Sequence, residues 1–210
     1  MIQTSNQQKK SLLKIVLIAT LKITVAGVAI GYFRKYDAIL AIFVAIYILR
    51  VFYREMISKP EKEWILFIGM LITGCLGILA EKWGIYNQFW EYHDLTDNRQ
   101  LPYWLPFAWM YAFKIIYDLE KKLVKTLEIT TISKKIVIAI LVTAFFPVYG
   151  EVITVYLGVW TYYWPFQLLG IPLYAVLCLI LLHMFVNCIL YFITHKYKIK
   201  NDLFNPKKSN

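Results

Sequence analysis

Two carboxyl side chains, Glu81 and Glu151, are best placed for acid–base chemistry, because each stands in or beside a long apolar run. Glu151 lies in the second half of a run that begins near Ser133, whereas Glu81 ends its run beside Lys82 and Trp83. An ionisable group inside a membrane is costly and usually faces a bundle interior or a cavity. Such a carboxyl can donate a proton, and two that meet can share one or divide the acid and base roles. The alternatives are a carboxyl that only ties helices together for Glu151 and an ordinary interfacial charge for Glu81.

The residue types around Glu81 return around Glu151 at a fixed spacing of seventy residues, without a gap. We interpret this as a tandem repeat whose unit is helix, short aromatic loop, helix. Both units would run in the same direction through a membrane, related by an axis near the membrane normal. The matched pairs include Glu81 and Glu151, Tyr86 and Tyr156, Trp90 and Trp160, Tyr92 and Tyr162, and Pro102 and Pro172.

The aromatic loops of the two units contain Trp90 and Tyr92 in the first and Trp160 and Tyr162 in the second. Tryptophan and tyrosine gather at membrane interfaces whatever the function of the protein. Alternatively, their ring faces form the wall of a site for an apolar substrate and stabilise a developing carbocation. The sequence leaves both interpretations open.

Three further polar residues fall inside predicted spans and are candidates for substrate binding. Lys22 lies near the middle of the first span, where it either pairs with a carboxylate such as Glu151 or extends toward an interface. His183 and Asn187 are one turn apart on one helix face. They are either packing residues held by hydrogen bonds or ligands of the substrate. The chain has three histidines and no HxxxH or HxxH pair, which argues against a His-ligated di-iron enzyme; we predict no metal and no cofactor.

Composition places these residues in an integral membrane protein. Of 210 residues 60% are hydrophobic, the mean hydropathy is +0.55, and the apolar residues are gathered in long runs. We predict an all-α polytopic bundle, a single membrane domain with the tandem repeat in spans three to six. The six spans are 11–33, 37–57, 63–83, 101–119, 134–157 and 170–194, with Pro102 and Pro172 in first turns. The units are 1–62 (an N-terminal helix pair), 63–132 and 133–202 (the repeats), and 203–210 (a basic tail).

The distribution of positive charge predicts the orientation. The net charge of +10 does not indicate nucleic-acid binding, because the basic residues lie between and beyond the apolar runs. Eighteen of the 23 Lys and Arg residues fall at the termini and in the loops on their side, and four fall on the other side. We therefore expect a bacterial cytoplasmic membrane with both termini in the cytoplasm and both aromatic loops outside.

Several other motifs are weak or missing. Cys75, Cys178 and Cys188 fall within spans without metal-type spacing, and we expect small apolar core residues. Gly27 and Gly31 form a GxxxG, which hints at close helix packing. The sequence has no Gly-rich phosphate loop and no DDxxD pair, which argues against a prenyltransferase.

The chain resembles the small integral-membrane proteins of carotenoid biosynthesis over about residues 70–175. The resemblance rests on Glu151, the GVW at 158–160 and the GIPL at 170–173. Two related groups share such elements, the carotenoid hydratase family and the heterodimer-type lycopene cyclase domain. The first motif of the hydratases is similar to Glu81, Tyr92, Pro102 and Trp109.

Two departures from these families bear on the reaction. The P-x-E-E carboxylate pair of the cyclases is absent, since Pro172 is followed by Leu173 and Tyr174. The hydratases are longer, with more spans. A divergent relative whose substrate has changed fits both departures.

The resemblance implies a redox-neutral membrane enzyme that acts on a polyene or isoprenoid. A carboxylic acid would protonate a terminal C=C, and water or ring closure would quench the tertiary carbocation. Partners would be this lipid-like substrate and membrane lipids, not nucleic acid, and a homo- or hetero-oligomer is left open. The alternatives are a non-catalytic carrier or channel that uses the intramembrane Glu and Lys22, and a helper subunit. The candidates are Glu81 and Glu151 for catalysis and, for substrate binding, Trp90, Tyr92, Trp109, Trp160, Tyr162, Lys22, His183 and Asn187.

Overall fold

The computed structural model describes residues 2–96 and 98–205, with side chains from residue 6 onward. These residues are mostly helical, which confirms the predicted helical class. A 3-10 turn, Arg34–Tyr36, links the first two helices, and a π-helical turn, Tyr53–Ser58, follows the second. The described helices are α1 Ile2–Phe33, α2 Asp37–Phe52, α3 Trp64–Tyr86, α4 Leu105–Thr126, α5 Ile132–Tyr156 and α6 Leu173–Lys196. The described strands are β1 Trp90–Tyr92, β2 Trp160–Tyr162, β3 Gln167–Leu168 and β4 Ile171–Pro172.

Among the residues that the structure describes, four helical stretches are long and apolar enough, by length and composition, to cross a membrane. One of them contains both α1 and α2 with their turns, and the others are α3, α5 and α6. The helix α4 is not among them, because its second half carries Lys114, Asp118, Glu120, Lys121 and Lys122. Two of these side chains, Lys114 and Glu120, are nonetheless buried against other helices.

The helix ends form two polar layers at opposite ends of the bundle. The hairpin end carries β1 to β4 and is fixed by the ion pairs of Asp37 with Arg99 (2.7 Å) and Arg34 with Asp94 (2.6 Å). The lysine-rich end holds the α2–α3 and α4–α5 connections and the segment after α6. There Lys121 pairs with Glu63 at 2.5 Å.

At the hairpin end, α3 and α5 terminate in the same way. The N–H of Phe89 donates to Gly84 O at 2.9 Å, and the N–H of Val159 donates to Thr154 O at 3.0 Å. The residue before each donor is left-handed, with φ of +59° at Gln88 and +70° at Gly158. This is the Schellman cap, which satisfies the last carbonyls of a helix and turns the chain sharply. Each cap therefore sends its aromatic strand back across the end of the bundle.

The strands β1 and β2 pair antiparallel across the hairpin end. Trp90 lies opposite Tyr162, Glu91 opposite Thr161, and Tyr92 opposite Trp160. The sequence predicted aromatic loops here and not strands. Three residues are too few for an alternation of apolar and polar positions to be visible.

Close packing of α1 against α5 depends on the predicted GxxxG. A Cβ at Gly27 would lie 3.0 Å from Ile153 Cγ2, and one at Gly31 would overlap Leu157. The absence of side chains at these positions lets the two backbones approach, as the spacing indicated. The helix α1 thereby becomes a wall of the interior of the bundle.

Three sequence expectations are corrected by the fold. Cys75, Cys178 and Cys188 are exposed on helix surfaces and are not core residues. Pro102 precedes α4 by three residues and Pro172 is the N-cap of α6, so neither lies in a first turn; Pro106 does in α4. The expected basic tail begins inside the fold, because Leu203 and Phe204 are buried, and its residues 206–210 lie outside the described part.

Candidate functional site

Glu81 is held by two indole groups that rest on glycines of its own helix. Gly77, Glu81 and Gly84 share one face of α3, because they are four and three residues apart. A Cβ at Gly77 would overlap the indole of Trp109, and one at Gly84 would overlap that of Trp90. Trp109 Nε1 donates to Glu81 Oε1 at 3.2 Å, and Trp90 Nε1 donates to Oε2 at 2.9 Å. Both carboxyl oxygens of Glu81 thus receive an N–H donor.

Glu151 has a different donor set. The hydroxyl of Tyr162 donates to Glu151 Oε2 at 2.8 Å. Trp160, which occupies the position seventy residues after Trp90, does not take the corresponding role. Its Nε1 is buried and makes no well-formed hydrogen bond among the described residues, although it lies near the Tyr162 hydroxyl and lowers the pKa of that phenol. The two carboxyls are therefore alike in sequence context and unlike in hydrogen bonding.

The β1–β2 pairing brings the two carboxyls to one place. Trp90, the donor to Glu81, meets Tyr162, the donor to Glu151, with ring centroids 5.7 Å apart. On the same face of the ladder, the rings of the next pair, Tyr92 and Trp160, are 5.5 Å apart. The ladder links the donors of both carboxyls in a single rigid aromatic unit.

Both carboxyls line one cavity of about 170 Å³, called here the carboxyl cavity. Its other lining atoms are largely aromatic and aliphatic, and they come from α1, α3, α4, α5, α6 and the two strands. The lining that the argument below uses consists of Glu81, Glu151, Trp90, Tyr92, Trp104, Trp109, Trp160, Tyr162, Ile116, Pro147 and Leu179. The site thus presents two acids to an otherwise apolar space.

The phenols of the strands stay protonated. Burial, together with the nearby Glu151 and Glu81, raises the pKa of Tyr162 well above its ordinary value. Burial and Glu81 raise the pKa of Tyr92 in the same direction. Tyr162 therefore remains a hydrogen-bond donor to Glu151 across the physiological pH range.

Seven of the ten residues predicted from the sequence line this cavity, and three do not. His183 Nε2 lies 2.7 Å from Glu120 Oε1 and 3.0 Å from Asn187 Nδ2. This group lies at least one helical turn from the carboxyl cavity, toward the lysine-rich end. Lys22 is partly buried and makes no ion pair with Glu151 within the described residues; Asp118 is the nearest opposite charge acting on it. The structure thus separates Lys22, His183 and Asn187 from the carboxyl cavity. The seven that it brings together are Glu81, Glu151, Trp90, Tyr92, Trp109, Trp160 and Tyr162.

Sequence reasoning missed the contribution of α1 and of Trp104. The helix α1 lines the cavity with Ile23, Ala26, Gly27 and Ile30. The contribution of α1 could have been predicted from its GxxxG motif, because that motif marks the face of α1 that meets α5. For Trp104, one of several tryptophans near the start of α4, no comparable signal existed.

Within residues 2–96 and 98–205, no group of three or more His, Cys, Asp or Glu is arranged to hold a metal ion. Comparison with known proteins returned no matching family model, no matching curated protein and no matching solved structure. The fold and site define a mostly helical protein with four apolar stretches fit to cross a membrane and a paired-carboxyl cavity between its helices.

Proposed function

We propose that this protein is an integral-membrane enzyme that uses Glu81 and Glu151 as an acid–base pair on a C=C bond of a polyene or isoprenoid. The observation that carries the proposal is the presence of both carboxyls on one aromatic-lined, otherwise apolar cavity. Water-soluble substrates gain little from such a lining, whereas an alkene end group fills it. The resemblance to carotenoid-modifying proteins points to the same substrate class.

The reaction is redox-neutral. A carboxylic acid transfers its proton to the less substituted carbon of the terminal C=C, a C–H bond forms from the π electrons, and a tertiary carbocation remains on the other carbon. In hydration, water forms a C–O bond to the cation and loses a proton to a carboxylate, so that one water is added. In cyclisation, an internal C=C attacks the cation and a proton is lost to a carboxylate, which gives an isomer.

The hydrogen bonds divide the roles of the two carboxyls. Glu81 accepts from two indole N–H groups, which stabilise a carboxylate and fit the proton acceptor. Glu151 accepts from one phenol and fits the proton donor. The ring faces around them stabilise positive charge on the substrate carbon.

The buried N–H of Trp160 favours hydration over cyclisation. This donor lines the cavity and makes no well-formed hydrogen bond among the described residues, although the Tyr162 hydroxyl lies nearby. A buried donor without a partner costs roughly 1–3 kcal/mol, which an incoming oxygen would recover. A water molecule or the hydroxyl of the product supplies that oxygen, whereas a cyclised hydrocarbon does not.

The cavity size fits an end group of the substrate. Apolar cavities of roughly 150 Å³ accept benzene, and the carboxyl cavity has about 170 Å³. A branched or six-membered end therefore fits, and the remainder of a long polyene would extend between helices into lipid.

The membrane arrangement is part of the proposal. Six spans place both termini and the lysine-rich end in the cytoplasm of a bacterial cell, in agreement with the distribution of Lys and Arg. A tandem repeat of α3–β1–α4 and α5–β2–α6 is supported by the two equivalent Schellman caps and by the crossed pairing of Trp90 with Tyr162 and Tyr92 with Trp160.

The experiment is pigment analysis by chromatography and mass spectrometry in a lycopene-producing bacterial host. The chain is compared with its Glu151→Gln form and with Glu91→Gln, an exposed carboxyl on β1 outside the cavity. We expect conversion by the chain and by Glu91→Gln, and none by Glu151→Gln at equal amounts in the membrane. A mass gain of one water identifies hydration, and an isomer with a blue-shifted spectrum identifies cyclisation. Equal conversion by Glu151→Gln would contradict the proposal.

A non-catalytic carrier or proton relay is the second candidate, favoured by the Glu120–His183 contact buried deeper in the bundle. It predicts a flux of protons or solute into vesicles that depends on Glu151, with no product from a polyene. A helper subunit without a site of its own predicts neither flux nor product from the purified chain.

A further inference from the structure

A second cavity of about 310 Å³ lies at the lysine-rich end, between α4, α5, α6 and the segment after α6. Its polar lining comes from Glu120, Lys135 and Asn187. Lys135 Nζ donates to the main-chain oxygens of Asp202 and Asn205 at 2.6 and 2.9 Å. The folded-back segment therefore borders this cavity where it approaches the end of the bundle.

The two cavities lie along the same stripes of three helices. On α4, Ile116 lines the carboxyl cavity and Glu120, one turn on, lines the second cavity. On α6, Leu179 lines the carboxyl cavity and Asn187, two turns on, lines the second. Residues four apart share a helix face. The two cavities are therefore separated by one helical turn on α4 and, on α6, by the turn that contains His183.

The stripe on α5 follows the same order. Pro147 lines the carboxyl cavity and Ala139 lines the second cavity, with Thr143 between them. Proline has no N–H, so the Thr143 carbonyl loses the donor that an uninterrupted helix would supply. The hydroxyl of Thr143 is also buried without a partner among the described residues.

The turn between the cavities is thus polar on all three helices. Glu120 and His183 are hydrogen-bonded at 2.7 Å and are both more than nine-tenths buried. Asn187 is equally buried, and its Oδ1 has no partner among the described residues. A buried amide oxygen and a buried hydroxyl without partners each cost free energy, which argues against purely structural packing here. Water that entered this turn would satisfy both groups, together with the Thr143 carbonyl that Pro147 leaves without its helical donor.

We propose that Glu120, Thr143, His183 and Asn187 form a polar passage that carries water and protons between the second cavity and the carboxyl cavity. In the proposed hydration, on which this role rests, the passage supplies the water that quenches the carbocation. It reaches the site from the lysine-rich end, so the aromatic hairpin end can stay closed around the substrate. The passage requires no metal and no cofactor.

The test measures where water reaches, independently of any reaction. All three native cysteines are replaced by Ala, and single cysteines are then introduced at chosen sites in the full chain in lipid vesicles. A charged, membrane-impermeant methanethiosulfonate reacts with a thiolate, which forms only in water. The sites are Cys188, restored in the second cavity, Thr143→Cys in the passage, and Leu141→Cys, an exposed residue at similar depth on the outer face of α5. Lys62→Cys and Lys35→Cys in the polar layers report which side the reagent reaches.

We expect Cys188 and Thr143→Cys to react from the lysine-rich side, each at least roughly tenfold faster than Leu141→Cys, which faces lipid. An unreactive Cys188 would mean that the second cavity is not aqueous. An unreactive Thr143→Cys with a reactive Cys188 would mean that water stops short of the carboxyl cavity. Either result overturns the passage, whether or not the chain converts a polyene.

A second set of variants tests the role of the Thr143 hydroxyl. Leu179→Cys places the thiol in the carboxyl cavity, beyond the passage. Thr143→Val, which keeps the shape of the side chain, should slow its labelling roughly tenfold by removing one hydrogen-bonding group from the water path. Thr143→Ser should restore the rate. Equal rates with Val and Ser would remove Thr143 from the passage.

Discussion

Gly84→Ala tests the support of Glu81 by the indole of Trp90. A Cβ at position 84 would overlap the outer ring atoms of Trp90, so the indole must move. Overpacking costs about 1–3 kcal/mol, and the loss of a hydrogen bond to a charged group costs about 1.5–3 kcal/mol. Alanine regains about 1 kcal/mol of helix propensity over glycine. The expected net loss in the free energy of unfolding is therefore roughly 1.5–5 kcal/mol.

The same substitution should reverse its sign when Trp90 is replaced. Trp90→Phe removes the outer ring that Gly84 accommodates, together with the Nε1 donor. In that background only the helix propensity remains, and Gly84→Ala should be neutral or stabilising by up to about 1 kcal/mol. The assay is a double-mutant cycle of unfolding in mixed micelles, followed by tryptophan fluorescence. An equal cost of Gly84→Ala in both backgrounds would refute the packing of Trp90 on Gly84.

Two further predictions concern the hairpin end. Arg99→Leu should lower the free energy of unfolding by about 2–3 kcal/mol, because it leaves the buried Asp37 carboxylate without its ion pair. Arg34→Leu, in the more exposed pair with Asp94, should lower it by less than about 1 kcal/mol. Equal losses for the two variants in thermal unfolding would contradict this difference. Because the pKa of Tyr162 is raised, its phenol stays protonated in the folded state at a pH at which the phenol of the unfolded chain ionises. The contribution of this phenol to the free energy of unfolding is therefore full below about pH 10 and falls as the pH rises above that value. Tyr162→Phe should therefore reduce the loss of stability with pH by about 1.4 kcal/mol per pH unit above pH 10, and an unchanged slope would exclude a buried phenol at this position.

The repeat of residue types selected residues that the structure brings together at one cavity. Carboxyls and aromatics at a spacing of seventy predicted Glu81, Glu151 and their loop residues, all of which line one cavity. The antiparallel pairing of β1 with β2 brings the loop residues at this spacing together. Hydropathy predicted the bounds of α2, α3, α5 and α6 closely. However, α1 begins at Ile2 and not at residue 11, and α4 ends at Thr126 and not at residue 119, because charged residues weaken the hydropathy signal there.

Contacts between distant stretches could not be predicted. His183 falls in a predicted span, where the sequence left both packing and substrate binding open, and its partner is Glu120, 63 residues away. For Lys22 the sequence left open a carboxylate partner such as Glu151 or an extension toward an interface, and among the described residues Asp118 is the opposite charge that acts on it. In both cases the depth in the helix was visible in the sequence, and the direction of the side chain around the helix axis was not.

One position contributes clearly to the chemical difference between the two carboxyls. Trp109 donates to Glu81, and the residue seventy positions later is Leu179, which lines the same cavity and has no donor. In the proposed enzyme this difference assigns the base to Glu81 and the acid to Glu151. Trp109→Leu would remove one of the two indole donors to Glu81, and the loss of about 1.5–3 kcal/mol of carboxylate stabilisation should lower turnover roughly tenfold to 150-fold.

A second substitution at the same position, Trp109→Phe, separates this electrostatic role from simple packing. It keeps an aromatic ring against Gly77 and removes the N–H, so it should lower turnover as much as Trp109→Leu does. Its unfolding temperature should stay closer to that of the unchanged chain. The measurement is polyene turnover at equal protein in bilayers, with thermal unfolding in parallel. If Trp109→Phe turned over substrate at the full rate, the indole N–H would have no part in catalysis. The division of roles would then have to come from Tyr162, the sole donor to Glu151 among the described residues.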